Sequence, residues 1–290
     1  MKAFIFPGQG SQFPGMGKEL YQSSDKVREL FDKACQILGF DIKSIMFDGD
    51  EEALKATAVT QPAVFLHSVA SAMCCGEKPD AVAGHSLGEF SALVSCGSLS
   101  FEEALRLVAI RSSAMQQACE MNPGSMAAIL KADEQLIADC CREVPGMVVP
   151  ANFNSDVQVV ISGEKEAVEA ACALLRERGV RRAIMLSVGG AFHSPLMEPA
   201  RQSLAEAIDR AVFSEPFCPI YQNVDALPHS DPAQIKANLL MQLTSPVRWT
   251  QTVRNMVADG VSSFVEIGPG SVLQGLVSRI APEVETSGIS

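Results

Sequence analysis

The sequence predicts an α/β protein made of a main body and one smaller unit inserted into it. Three observations carry the prediction. Ala81-Val82-Ala83 reads as a strand end running into Gly84-His85-Ser86-Leu87-Gly88, and residues 88–96 then have helical spacing, so strand, sharp turn and helix follow one another. After Asn122-Pro123-Gly124 the texture changes, and residues 124–190 read as β-α-β-β-α-β, the ferredoxin-like order. From residue 217 onward strands and helices alternate again, which assigns residues 1–123 and 191–290 to the main body.

The elements follow in chain order. Residues 3–6 form a short buried strand, and Pro7-Gly8-Gln9-Gly10-Ser11-Gln12 begins a glycine-rich loop. That loop lacks both the Lys-Ser/Thr of a P-loop and the Rossmann spacing. It is either a plain connection or a donor of backbone N–H groups to an oxyanion beside the turn at Ser86. Residues 18–39 carry helical periodicity through Leu20, Val27, Leu30, Phe31, Ala34 and Leu38, and stop at Gly39. Thr60-Gln61-Pro62 opens a helix over 63–73 with Pro62 in its first turn. Ser100-Phe101-Glu102-Glu103 is a capping box that starts a helix reaching about residue 121. In the inserted unit, strands are expected at 126–130, 147–151, 158–162 and 183–188, and helices at 133–143 and 164–178. The last part holds strands at 217–221 and 263–267, helices at 232–242 and 247–258, and a helix from Gly268-Pro269-Gly270 to residue 280.

Composition narrows the function classes. A chain of 290 residues with 47% hydrophobic content can bury a large core. A net charge of -11 disfavours nonspecific nucleic-acid binding but leaves room for a local basic patch. Nine cysteines occur without a C-x-x-C motif, and no histidine pair has ligand spacing, so no metal site is expected and reduced thiols in a cytoplasmic location are. The apolar run before Pro7 is too short for a signal peptide. Residues 57–76 carry no charged side chain, yet Gln61, Pro62 and His67 interrupt them, so a buried helix is expected rather than a membrane span.

Three residues stand out chemically. Ser86 lies in a G-x-S-x-G frame whose tight turn would project the hydroxyl outward, with the next amide and the helix N-terminus facing a developing oxyanion. Of four histidines, His67 reads as a core residue, His229 as solvated and His85 as packing beside the nucleophile. His193, in Gly189-Gly190-Ala191-Phe192-His193-Ser194 at the return from the inserted unit, is the candidate general base. Arg111 is the only charge between Leu107 and Cys119 and shares a helix face with Ala104, Leu107, Val108 and Met115. A cation on such a face needs an anionic partner. It is either a rim or structurally paired arginine, or a fork gripping a substrate carboxylate.

Gly8-Gln9-Gly10-Ser11-Gln12, Gly84-His85-Ser86-Leu87-Gly88-Glu89, Arg111, Asn152-Phe153-Asn154-Ser155, Ala191-Phe192-His193-Ser194, Pro246-Val247-Arg248-Trp249 and Glu266-Ile267-Gly268-Pro269-Gly270 occur in this order. Nearly end to end, the chain resembles the malonyl-CoA:acyl carrier protein transacylases of bacterial type II fatty-acid synthesis. The resemblance implies an α/β-hydrolase-like core with a ferredoxin-like insertion, and ping-pong transfer of malonyl from malonyl-CoA to the phosphopantetheine thiol of holo acyl carrier protein. It implies Ser86 as nucleophile, His193 as base, the amides of Gln9 and Leu87 as oxyanion hole, and Arg111 as the ligand of the free malonyl carboxylate. The backbone carbonyl of Gln242 would orient His193 in place of the usual acid.

Asn152 and Phe192 are expected at the substrate pocket, and Leu87 and Phe192 match the malonyl-type pattern rather than that for branched extenders. A bulky Phe beside the base leaves less room for an α-methyl group. No cofactor, metal, nucleic acid or membrane span is expected, and a monomer is. Arg181-Arg182, with Lys165 and Arg178, is the candidate basic patch for the acidic carrier protein, against the plainer reading of a solvated charged face. Two rival classes remain at this level: a serine esterase or thioesterase, and a non-catalytic carrier-binding module.

Overall fold

A computed structural model describes residues 1–290. Ten strands form two separate sheets: β1 (Lys2–Phe6), β2 (Ala81–Gly84), β3 (Gly124–Leu130), β4 (Val148–Ser155), β5 (Gln158–Glu164), β6 (Arg182–Met185), β7 (Ile220–Tyr221), β8 (Pro228–His229), β9 (Ser263–Ile267) and β10 (Glu285–Ile289). The first sheet has the order β10-β9-β1-β2-β7-β8 and is parallel except for the β7–β8 pair. The second, β4-β5-β3-β6, is antiparallel throughout. Parallel neighbours need crossover connections, and helices supply them on both faces of the first sheet.

Strands β1 and β2 are apolar on both faces, as strands covered by helices on each side must be. One face packs Phe4, Phe6 and Val82 into the largest core cluster, with the helices Asp25–Leu38, Thr57–Cys75 and Phe101–Met121. The other places Ala3, Ile5, Ala81 and Ala83 against Trp249, Val253 and Leu273. The antiparallel sheet has its own core around Ile129, Ile161, Val168 and Leu175. The helix Thr57–Cys75 is long and apolar enough to span a membrane by length and composition, but residues 60–71 are all buried within the molecule.

Several expected bounds shift. The single helix over 18–39 is two, Lys18–Ser23 and Asp25–Leu38, because Ser24 adopts an extended backbone (φ -151°, ψ 135°) that breaks the ladder. Pro62 is not in a first turn: the helix begins at Thr57, so its missing N–H removes one bond from the interior ladder. The start is anchored instead by Thr60 Oγ1, which bonds the Ala56 carbonyl at 3.1 Å. The strand at 217–221 shrinks to Ile220–Tyr221, since Phe217 is exposed and Pro219 has no amide to pair. Of the expected capping box only half forms: Ser100 Oγ accepts from the Glu103 amide, while the Glu103 carboxylate accepts from the Val212 amide. The helices Ile42–Asp48 and Glu198–Arg210 and the edge strand β10 were not anticipated.

Candidate active site

The turn after β2 is tight because two glycines let backbones touch. A Cβ on Gly84 would lie 1.9 Å from the Gly88 carbonyl carbon, and one on Gly88 would lie 2.0 Å from the Phe6 carbonyl oxygen. No side chain fits at either position. Ser86 is held at φ 53°, a left-handed conformation that strains a residue with a Cβ by about 1–2 kcal/mol. The helix Gly88–Ser95 starts immediately afterward and aims its N-terminus at the serine.

Ser86 Oγ lies 2.7 Å from His193 Nε2, although the two residues are 107 positions apart. His193 also has a positive φ of 56° and is 4% exposed. Its Nδ1 is 3.0 Å from the backbone carbonyl oxygen of Gln242. A carbonyl only accepts, so the proton sits on Nδ1 and the Nε2 lone pair faces the serine hydroxyl. Burial, followed by the nearby charge of Arg111, pulls the imidazole down to about 3. At neutral pH it is an unprotonated base.

Arg111 is 1% exposed and has no carboxylate within ion-pair distance. Of the two alternatives the sequence left open, the rim or structurally paired arginine is therefore not what the structure shows. Its guanidinium donates to three neutral oxygens: Nη1 to Gln61 Oε1 at 2.7 Å, and Nη2 to Ser86 Oγ and Gln242 Oε1, both at 3.0 Å. The Phe90 ring lies 5.8 Å away, and Nε has no partner. Burial lowers its pKa to about 10, so the cation persists at neutral pH. A buried cation satisfied only by neutral groups, next to a nucleophile, is a site arranged for an anion.

These groups line one cavity of about 190 Å³ together with Gln9, Leu87, Asn152 and Phe192. Met126, Val160, Leu186 and Val188, from the antiparallel sheet and the segment that leaves it, supply an apolar wall. Neither the Gln9 nor the Leu87 amide donates within the protein, so two N–H groups are left over beside the nucleophile. Asn152 is 6% exposed and bridges in parallel to Val247.

Other expected residues fall elsewhere. Arg181 and Arg182 are exposed and make no ion pair, whereas Arg178 is paired with Glu143. The proposed patch thus loses one of its cations to an internal partner. His229 is not solvated; its Nε2 lies 2.8 Å from Asp225. His67 is buried as expected, 3.3 Å from Ser71 Oγ, and pulled down to about 4 by burial. The His85 ring lies tilted against Trp249, 5.7 Å between centroids, and its Nε2 pairs with Asn154 Oδ1 at 2.8 Å. Gln61, Asn223 and Glu89 were missed. A fully buried polar Gln61 in an uncharged apolar helix was the one available signal for the first.

The acyl transferase domain family matches residues 3–286. The malonyl CoA-acyl carrier protein transacylase of Bacillus subtilis (strain 168) is 43% identical over 99% of this chain and 93% of its own length. The chain belongs to this transacylase family. The Escherichia coli (strain K12) member is 42% identical over 99% of the chain and 95% of its own length. An acyl carrier protein S-malonyltransferase from Vibrio cholerae superposes with a TM-score of 0.95 at 42% identity, covering 100% of this chain and 96% of that one. A malonyl-transacylase solved in complex with its type II PKS acyl-carrier protein superposes with a TM-score of 0.94 at 41% identity, covering 99% and 94%. Within this transacylase family fold, the serine, the histidine and the arginine described above share one cavity.

Proposed function

We propose that the protein transfers malonyl from malonyl-CoA to the phosphopantetheine thiol of holo acyl carrier protein through a malonyl-serine intermediate. The observation that carries this reading is the Ser86 hydroxyl held between His193 Nε2 at 2.7 Å and Arg111 Nη2 at 3.0 Å. A nucleophile, a neutral base and a buried cation converge on one oxygen. That set suits an acyl group bearing its own carboxylate.

His193 Nε2 takes the Ser86 proton as Oγ attacks the thioester carbonyl. The tetrahedral oxyanion is met by the Gln9 and Leu87 amides, and collapse expels CoA, whose thiolate takes the proton from the imidazolium. The malonyl carboxylate replaces the neutral oxygens on Arg111 and cancels the charge that, after burial, depresses His193, so substrate binding makes the base stronger. The carrier thiol then gives its proton to His193 and attacks the malonyl ester, and Ser86 recovers its proton as leaving group. No cofactor is needed; malonyl-CoA is a substrate. The Gln242 carbonyl stabilises the imidazolium less than a carboxylate would, which favours a thiol acceptor over water.

In this reading the parallel sheet and its helices are an α/β-hydrolase-like core of residues 1–123 and 191–290. Residues 124–190 are a ferredoxin-like insertion, supported by the strand order β4-β5-β3-β6. Phe192 narrows the cavity against α-methyl groups, and the unpaired Arg181 and Arg182 are the candidate carrier contacts. The cytoplasm is the proposed location, consistent with nine free thiols. A serine esterase is the second reading, disfavoured by the guanidinium on the nucleophile itself.

The test is mass measurement of holo acyl carrier protein after incubation with enzyme and malonyl-CoA, with Ser86→Ala and apo carrier as controls. One malonyl group on the holo carrier, made only by the wild type, is expected. Free malonate without a malonylated carrier would overturn the transferase reading in favour of a hydrolase.

A further inference from the structure

The amides around the nucleophile are partnered in an arrangement that the acyl transfer itself does not use. The His85 amide donates to the Phe6 carbonyl of β1 at 2.9 Å, and the Gly88 amide to the His85 carbonyl at 3.0 Å. The Ser86 amide donates to Asn223 Oδ1 at 2.7 Å. Of four successive amides, only that of Leu87 is left over. The nucleophile's own N–H is therefore withheld from any oxyanion, and the reason is a side chain 137 residues away.

Asn223 lies just beyond β7, the parallel neighbour of β2, in register with Val82 and Ala83. Its Nδ2 donates to the Gly84 carbonyl at 2.7 Å, so one amide group bridges the last carbonyl of β2 and the amide of Ser86. These are the two backbone groups that the sharp turn removes from the sheet. The Asn223 main chain is fixed in turn: its amide donates to Glu89 Oε1, and its carbonyl accepts from the Arg248 amide at 3.1 Å. Glu89 is the second residue of the elbow helix and is fully buried, and its Oε2 has no partner. Burial raises its carboxyl to about 8, opposed by the hydrogen bond from the Asn223 amide and by the charge of Arg111.

We propose that Asn223 and Glu89 are positioning residues for the nucleophile: Glu89 fixes the Asn223 backbone, and the Asn223 amide holds Ser86 in its left-handed conformation, leaving the Leu87 N–H as the elbow's only oxyanion donor. The elbow helix thus supplies, through Glu89, the anchor for the loop that sets its own first turn. This rests on the malonyl-serine reading. Loss of the Asn223 bridge frees the Ser86 amide, relaxes φ at Ser86 and swings both Oγ and the Leu87 amide away from the thioester. Malonyl binding through Arg111, which forms no hydrogen bond with Asn223, is left intact by that loss.

The experiment is rapid-quench mass spectrometry of malonyl-enzyme formation across malonyl-CoA concentrations, after thermal melting establishes folding. Asn223→Ala is expected to lower the acylation rate constant by roughly 100-fold, the scale of a lost oxyanion donor, with malonyl-CoA affinity changed less than about threefold. Glu89→Ala is expected to lower it about tenfold, whereas Glu89→Gln keeps the acceptor and should retain at least roughly a third of the rate. If the alanine variants do not fold, Glu89→Gln decides alone: retention of the rate supports an acceptor role, and its loss overturns the proposal. A folded Asn223→Ala that acylates within about threefold of wild type also overturns it, as does equal loss of rate and affinity. Absence of any adduct on the wild-type enzyme would instead refute the malonyl-serine reading.

Discussion

Replacing Arg111 by alanine separates substrate selection from chemistry. The guanidinium hydrogen-bonds only neutral oxygens of Gln61, Ser86 and Gln242 and is 1% exposed. A malonyl carboxylate entering the cavity would form a buried charge-assisted pair with it, and breaking such a pair by removing one partner is worth about 3–5 kcal/mol. At about 1.4 kcal/mol per factor of ten, malonyl-CoA should lose roughly 10²–10⁴ in the kcat/KM of acylation. Acetyl-CoA brings no carboxylate and leaves the buried cation unpaired in the wild type. For acetyl-CoA, Arg111→Ala should therefore hold kcat/KM within about tenfold of wild type or raise it. Rapid-quench mass spectrometry of the acyl-enzyme with each thioester measures both values. Equal losses for malonyl and acetyl would refute the assignment, because they would mean that Arg111 serves Ser86 or the fold rather than the malonyl carboxylate.

The remaining predictions concern the base, its support and the elbow. Free His193 is held at about 3, so kcat/KM should stay flat from pH 8 down to about pH 5, and bound malonate, by shielding Arg111, should move the acid limb of kcat to higher pH than that of kcat/KM. His193 and Glu89 depart from 6.5 and 4.5 in opposite senses. Neutral His193 makes stability fall as pH drops from 6.5 toward 3, whereas the raised carboxyl of Glu89 contributes stability, fully present below 4.5, that is lost as pH rises through 8; Glu89→Gln should remove the loss between about pH 4.5 and 8 from a denaturation profile. Gln242→Glu leaves the carbonyl on His193 but puts a carboxylate on Arg111, so KM for malonyl-CoA should rise at least about tenfold in steady-state assays. Gly88→Ala drives a Cβ to 2.0 Å from the Phe6 carbonyl oxygen and should abolish acylation and lower the melting temperature.

The elbow was legible because its constraints are local: two glycines with no room for a Cβ, a strand before and a helix after. The order of the inserted strands was legible for the same reason, each element carrying its own periodicity. His193 was legible as a candidate base from its place in a glycine-rich turn, whereas Gln242 was assigned by resemblance alone, since nothing in the periodicity brings that turn and a helix end to within 3.0 Å. Asn223 gave no signal: it is one asparagine in a loop whose role arises from the register of β7 with β2. Arg111 was flagged correctly as anomalous, but spacing could not reveal that neutral amides from other helices would satisfy it. The edge strand β10 was overlooked because Glu285-Thr286-Ser287-Gly288 has polar and small residues, and its pairing comes from β9 alone.

The most direct test of the central claim is intact-protein mass spectrometry after brief mixing with malonyl-CoA, followed by addition of holo acyl carrier protein. The account predicts one malonyl group on the wild-type enzyme, mapping to Ser86, absent from Ser86→Ala and discharged to the carrier thiol. A well-folded enzyme that acquires no adduct, or an adduct that persists in Ser86→Ala, would contradict it.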